Sequence, residues 1–318
     1  MKRKDFLITM LALGGAALLP DGFIKAVASK RDKRRIDPAK LVVMSDIHIC
    51  GEFNAEGNPK HYPYNSVCFQ QQVEDILAMR PLPANIIILG DIAWDYGLEE
   101  DYQYVAQLLQ PLQDAGIKIT MAMGNHDRRE AFFSIFPEYR AITKVPGRVV
   151  SVVELPNFDF VVLDSLDELP NLRPRQATKV SGAMDKTQLE WLESYLAAAK
   201  RPVILSSHHP MTELRGMEAL ICKYPDVVAG YIYGHAHIWN NGVHIIRSLA
   251  PRRMVPHICI PTTFYGDIGY VVACSSPESL ELNYSSKGFW WPQPEDNPLR
   301  EWTQRQKDLQ KEKCTILF

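Results

Sequence analysis

Leu41-Val42-Val43-Met44-Ser45-Asp46-Ile47-His48 decides how this chain is read. Leu41 to Ser45 is a short apolar run of strand-like residues, and it ends on a carboxylate and an imidazole two positions apart. A continuous apolar strand is one buried on both faces, the kind found inside α/β proteins. The pattern repeats along the chain. Asn85 to Leu89 ends at Gly90-Asp91, and Lys118 to Met123 ends at Gly124-Asn125-His126-Asp127. Pro202 to Leu205 leads to Ser207-His208-His209-Pro210, and Ala229 to Tyr233 leads to Gly234-His235-Ala236-His237. Between them lie helical stretches at Val67 to Met79, Asp101 to Ala115, Asp185 to Ala199 and Glu213 to Tyr224. Strand and helix alternate, with polar side chains gathered where strands end. In open α/β sheets that is where sites form, because loops leave the rigid scaffold there.

The side-chain chemistry is that of hard divalent cations, which take carboxylate, amide oxygen and imidazole ligands. Asp46 and His48 can reach one ion together. Asp91 has two oxygens and can bridge two ions. Asn125 supplies a neutral oxygen, and His208, His235 and His237 complete a set of seven.

In this order the five motifs D-x-H, G-D, G-N-H-[DE], H-x-P and G-H-x-H resemble the calcineurin-like metallophosphoesterase superfamily, over about residues 41–240 and the strands to 285. The resemblance implies a four-layer α/β/β/α sandwich, two mixed sheets flanked by helices. It also implies two divalent ions, Mn, Fe, Zn or Co. One would take Asp46, His48, Asp91 and His237, and the other Asp91, Asn125, His208 and His235. A metal-bridging hydroxide would attack phosphorus, while His126 would contact the phosphoryl oxygen or protonate the leaving oxygen. The H-x-P register selects His208 over His209, leaving His209 to support a ligand or face substrate.

Within the superfamily the layout looks most like class III cyclic-nucleotide phosphodiesterases, which implies a small-molecule phosphodiester as substrate. A phosphomonoesterase with the same site, or a non-catalytic scaffold of this fold, are the alternatives. Many members carry an aspartate three residues after the bridging one, where this chain has Trp94 and then Asp95. A one-residue bulge would let Asp95 serve. Trp94 cannot ligate a metal, so the tyrosinate-bound iron of purple acid phosphatases is not expected. Asp127 is expected to support His126 or a ligand. Arg128 and Arg129 either clamp a phosphate or open a solvated helix.

Composition is ordinary: 318 residues, 46% hydrophobic and 23% charged, with net charge −2. That balance argues against a broad basic nucleic-acid-binding surface. Residues 1–28 read as an export signal. Lys2, Arg3 and Lys4 precede an apolar stretch from Phe6 to Leu19, and Ala26-Val27-Ala28 offers a cleavage site. Arg3-Lys4-Asp5-Phe6-Leu7 resembles a twin-arginine motif with lysine for the second arginine. The expected mature chain is periplasmic, without a transmembrane helix; an uncleaved N-terminal anchor is the alternative. Residues 29–40 read as a basic linker and 41–286 as the catalytic domain. Residues 287–318 read as a surface tail with a short helix over Pro298 to Lys311, where Phe289, Trp290 and Trp291 either cover an edge or stack on a base.

Overall fold

Strand β1 (Ile36–Met44) shows in its side chains how the whole molecule is layered. Leu41 and Val43 point into one apolar core, Val42 and Met44 into another, and all four are fully buried. A strand alternates its faces with period two, so a continuous apolar run implies a layer on each side. In this computed structural model, which describes residues 35–171, 173, 175–247, 252–290 and 313–318, both layers are present.

The first sheet joins β1 to β2 (Leu82–Ile88) and β3 (Lys118–Met121) in parallel. On the other side of β1, β10 (Gly266–Ser275), β11 (Ser279–Trp290) and β12 (Lys313–Leu317) run antiparallel in succession. The second sheet has the order β4 (Ser151–Glu154), β5 (Asp159–Val162), β6 (Val203–Ser207), β7 (Val228–Tyr233), β9 (Arg253–Cys259), β8 (Asn240–Ile246). Both sheets are mixed, as the sequence implied.

Helices α1 (Pro63–Ala78), α2 (Glu99–Asp114) and α3 (Arg129–Ile135), with the short α4 (Glu138–Ile142), cover the outer face of the first sheet. Phe69, Val73, Tyr102, Leu109 and Phe132 meet Val42, Met44, Ile86 and Ile88 there. Helices α5 (Lys186–Ala198) and α6 (Met217–Lys223) cover the second sheet through Leu192, Leu196, Leu220 and Ile221. Between the sheets Leu41, Val43, Ile87, Leu89, Phe160, Ile204, Ile232 and Ile258 form the central core. The architecture is therefore the four-layer α/β/β/α sandwich.

Three local readings change, the first being that Ile36 to Lys40, read as the end of the linker, belong to β1. The single helix expected over Glu213 to Tyr224 is a 3₁₀ turn at Met211–Glu213 followed by α6, broken at Gly216 with φ of 93°. That left-handed backbone is one that side-chain-bearing residues avoid. Asp185 caps α5 by accepting the Gln188 N–H at 2.8 Å. The Gln188 side chain points away from the cap. It bonds both the N–H and the C=O of Asp164, locking α5 to the end of β5. The C-terminal segment is not a surface tail throughout: residues 287–290 extend β11, and β12 closes the first sheet's edge. Ile316 is fully buried in the inter-sheet core, and Phe318 packs on Phe158 at 5.2 Å. The helix expected over Pro298 to Lys311 and the export signal at 1–28 lie outside the described residues. No helix among the described residues is long and apolar enough to cross a membrane.

Candidate dinuclear metal centre

Five loops at the carboxyl ends of β1, β2, β3, β6 and β7 converge on one point, and the backbone pays a conformational cost to bring them there. Asp46, His48, Asp91, His235 and His237 all have φ between 44° and 66°. Non-glycine residues rarely occupy that region, and such strain persists only where the surroundings over-determine it. Main-chain bonds do so here. The Asp46 N–H donates to the Gly90 carbonyl at 3.1 Å, His48 N–H to Asp91 at 2.9 Å, and Gly234 N–H to His208 at 2.9 Å. Gly124 is required by close approach: a Cβ there would collide with the Asp91 carboxylate and main chain.

The result is two groups of donor atoms sharing one oxygen. His237 Nε2 lies 3.1 Å and His48 Nε2 4.0 Å from Asp46 Oδ1, and His48 Nε2 lies 3.7 Å from Asp91 Oδ2. On the other side, His208 Nε2 is 3.2 Å from that same Asp91 Oδ2, 3.2 Å from Asn125 Oδ1 and 3.2 Å from His235 Nδ1. The structure thus brings together all seven predicted ligands, with Asp91 in the middle.

The donor set fits cations. His48 Nδ1 is 3.2 Å from the Trp94 carbonyl, and His208 Nδ1 is 2.8 Å from the Leu89 carbonyl. A carbonyl only accepts, so each Nδ1 carries a proton and each Nε2 is turned towards the site. His48 Nε2 and His237 Nε2 then face one another at 3.3 Å, and Asp46 Oδ1 is buried without a hydrogen-bond partner. Converging lone pairs around an orphaned carboxylate oxygen are unfavourable unless a positive charge sits among them.

Electrostatics agree. Burial would raise the Asp46 carboxyl, but His237 and His208 overrule it and hold it far below the carboxylate range. His208 is pushed the other way: burial opposes its charge, yet the Asp91 and Asp46 carboxylates lift it to about 9. Burial, against the pull of Asp91, lowers His48 to about 4.

His209 also comes within reach, because one ligand atom each of His208, His209 and His235 fall within 4.8 Å of one another. Its nitrogens are already engaged: Nδ1 lies 2.8 Å from Ser165 Oγ and Nε2 2.9 Å from the Val180 carbonyl. It is fully buried, so it faces protein and not substrate. We therefore place Asn125, and not His209, in the second group.

His126 stands at the rim with its side chain 32% exposed and its ring 5.0 Å from that of His48. Its Nδ1 lies 3.1 Å from Asp95 Oδ1 and 3.2 Å from the Asp95 carbonyl. These partners are acceptors, so Nδ1 carries a proton and Nε2 faces outward. The one-residue bulge is present in effect, with Trp94 giving its carbonyl to His48 while Asp95 reaches His126. Asp127 is wholly buried and touches no ligand directly. Its carboxylate accepts from Ile92 N–H, Ala93 N–H, Gly124 N–H and Tyr102 O–H, tying the second and third motifs together. Arg128 and Arg129 part company. Arg129 is buried in a two-point pair with Asp164 at 2.8 Å. The Arg128 guanidinium donates to the Arg173 and Gln176 carbonyls of the loop that precedes α5. Neither points a guanidinium to the donor atoms.

Sequence reasoning did not single out Thr178 or Thr262. The Thr178 hydroxyl bonds the Asn125 carbonyl, and Thr262 donates to the Asp46 carbonyl at 2.9 Å. Neither lies in a ligand motif, so only the fold reveals them.

Comparison with known proteins gives the same frame. The family model for calcineurin-like phosphoesterases matches residues 39–239. A Rhodopseudomonas palustris protein named "Probable cyclic nucleotide phosphodiesterase" is 32% identical over 231 residues, covering 66% of this chain and 78% of that protein. A Rhodococcus erythropolis protein of the same name is 29% identical over 211 residues, covering 62% of this chain and 64% of its own length. A solved Thermus thermophilus structure aligns at 11% identity with a TM-score of 0.42, covering 73% of this chain and 93% of that one.

Proposed function

We propose, from the premise that this chain belongs to the calcineurin-like phosphoesterase family and is a metal-dependent phosphoester hydrolase, that it works with two divalent ions on phosphodiesters outside the cytoplasm. The observation that carries the dinuclear reading is Asp91 Oδ2, common to both groups of donors. Asp46, His48, Asp91 and His237 would hold one ion, and Asp91, Asn125, His208 and His235 the other. Such ions, when bound, supply Lewis acidity towards a phosphoryl oxygen and a nucleophile at neutral pH.

The remaining chemistry belongs to the chain. His126 presents Nε2 to the substrate and gives a proton to the departing oxygen, restoring it from solvent. Asp95 fixes the ring by taking the Nδ1 proton in a hydrogen bond. Asp127 keeps the loops bearing Asp91 and Asn125 in register through its four donors. Mn, Fe, Zn and Co all suit the mixed oxygen and nitrogen ligands.

The diester reading is supported by the names of the two relatives, and a phosphomonoesterase would use the same ligands. Chelated protein reloaded with Mn²⁺ is expected to turn over bis-p-nitrophenyl phosphate faster than p-nitrophenyl phosphate. A marked preference for the monoester would refute the diester reading, and no turnover of either by folded, loaded protein would refute catalysis. Export rests on residues 1–28 alone. N-terminal sequencing of protein from the periplasmic fraction is expected to begin near Ser29; a chain starting at Met1 would mean an anchor.

A further inference from the structure

Each donor group draws its ligands from both sheets, so each needs something that fixes one sheet against the other. For the first group the tie runs through the loop before β10. Thr262 donates its hydroxyl to the Asp46 carbonyl at 2.9 Å and its N–H to the Asp267 carbonyl at 3.0 Å, and the Asp267 N–H donates to the His237 carbonyl at 2.9 Å. The second group is built differently. Asn125 follows β3, an edge strand of the first sheet, whereas His208 and His235 follow β6 and β7 of the second.

Arg129 opens α3, four residues after Asn125. It is 6% exposed, and its guanidinium meets Asp164, 1% exposed, through two bonds of 2.8 Å. The same guanidinium donates to the Leu166 carbonyl at 2.6 Å and to Glu168 at 3.1 Å. Asp164 stands just beyond β5, the neighbour of β6, and its carboxylate also accepts the Val149 N–H at 2.9 Å and the Leu166 N–H at 3.2 Å. The next residue, Ser165, accepts the His209 N–H on its hydroxyl at 3.2 Å. Asn125 and His208 are thus joined by one turn of chain, a two-point ion pair and a hydrogen bond to the residue after His208. Among the described residues, Arg129, Asp164 and Ser165 make no polar contact with Asp46, His48 or His237.

We propose that Arg129 and Asp164 are positioning residues for the second ion, setting the span between Asn125 and His208 while the first ion's ligands are held independently. The inference rests on the dinuclear reading. A buried ion pair adds little net stability, because desolvation offsets its attraction. What it supplies is geometry: the planar fork of a guanidinium meets a carboxylate in one orientation and fixes both distance and angle. A metal site needs its ligands held to a fraction of an ångström, and partners outside the ligand set supply that precision.

The test is a calorimetric titration of chelated, folded protein with Mn²⁺, in which the wild type is expected to take two equivalents. Arg129→Lys keeps a positive charge beside Asp164 and loses the two-point fork. It and Asp164→Asn are expected to bind the first equivalent as the wild type does and the second about ten- to hundredfold more weakly. Their titrations should resemble that of Asn125→Ala and not that of His48→Ala. Glu168→Gln, which changes only an outer partner of Arg129, should leave both affinities as they are. A pair that merely holds the fold together would lower Tm and leave the ratio of the two affinities unchanged. That result in Arg129→Lys, equal weakening of both equivalents, or a loss patterned on His48→Ala overturns the proposal. If Asp164→Asn does not fold, Arg129→Lys decides. A wild type that saturates at one equivalent sinks the dinuclear reading itself, and this inference with it.

Discussion

Replacing Asp91 with alanine is expected to remove both metals and cut turnover by at least about a thousandfold, beyond the ten- to hundredfold typical of losing an outer partner. Every other candidate ligand serves one donor group; Asp91 Oδ2 serves two. Its other oxygen accepts the His126 N–H at 2.8 Å, so the same change loosens the backbone that carries His126. The fold should survive. His208 owes its rise to about 9 to the carboxylates beside it, Asp91 before Asp46. With the larger of these gone, burial favours the neutral ring, and no unpaired charge is left in the interior. Metal content after chelation and reloading, read beside circular dichroism and turnover, tests this. A folded Asp91→Ala protein that still holds two equivalents of metal would show that Asp91 is not the shared ligand.

The candidate ligands were legible in the sequence because each sits within a few residues of a strand end. A strand buried on both faces, such as Leu41 to Met44, announces itself as an unbroken apolar run, and the polar residues that stop it are then conspicuous. What stayed hidden depends on contacts between distant segments. Nothing local marks Lys313–Leu317 as a strand. Its place comes from pairing with β11, Leu282 opposite Cys314, and from Ile316 entering the core between the sheets. The contact of Asp95 with His126 hinged on a single residue of spacing, and it depends on the path of the main chain after Asp91, where Ala93 pairs with Ile49. Phe289, Trp290 and Trp291 stood out in sequence as neighbours. Tyr62 and Trp94 lie far apart along the chain and meet only when their loops fold beside His48.

His126→Ala is expected to keep its metal and lose rate, by about 10² to 10⁴ as the removal of a general acid does. Its Nδ1 is committed to Asp95 and its ring lies outside both donor groups, so no ligand leaves with it. The main-chain N–H that serves Asp91 remains in alanine. The size of the loss should track the leaving group. An alkoxide needs a proton as the bond to phosphorus breaks, whereas p-nitrophenolate departs without one. The variant should therefore fall furthest on an alkyl diester and least on bis-p-nitrophenyl phosphate. A uniform loss on both would assign His126 to binding the phosphoryl oxygens and not to proton transfer. Asp95→Asn is expected to cost far less, about tenfold, because the Asp95 carbonyl at 3.2 Å still takes the Nδ1 proton after the carboxylate is gone. A loss in Asp95→Asn as large as in His126→Ala would mean that the carboxylate sets the charge of the ring, and that orientation alone is too small a role for it.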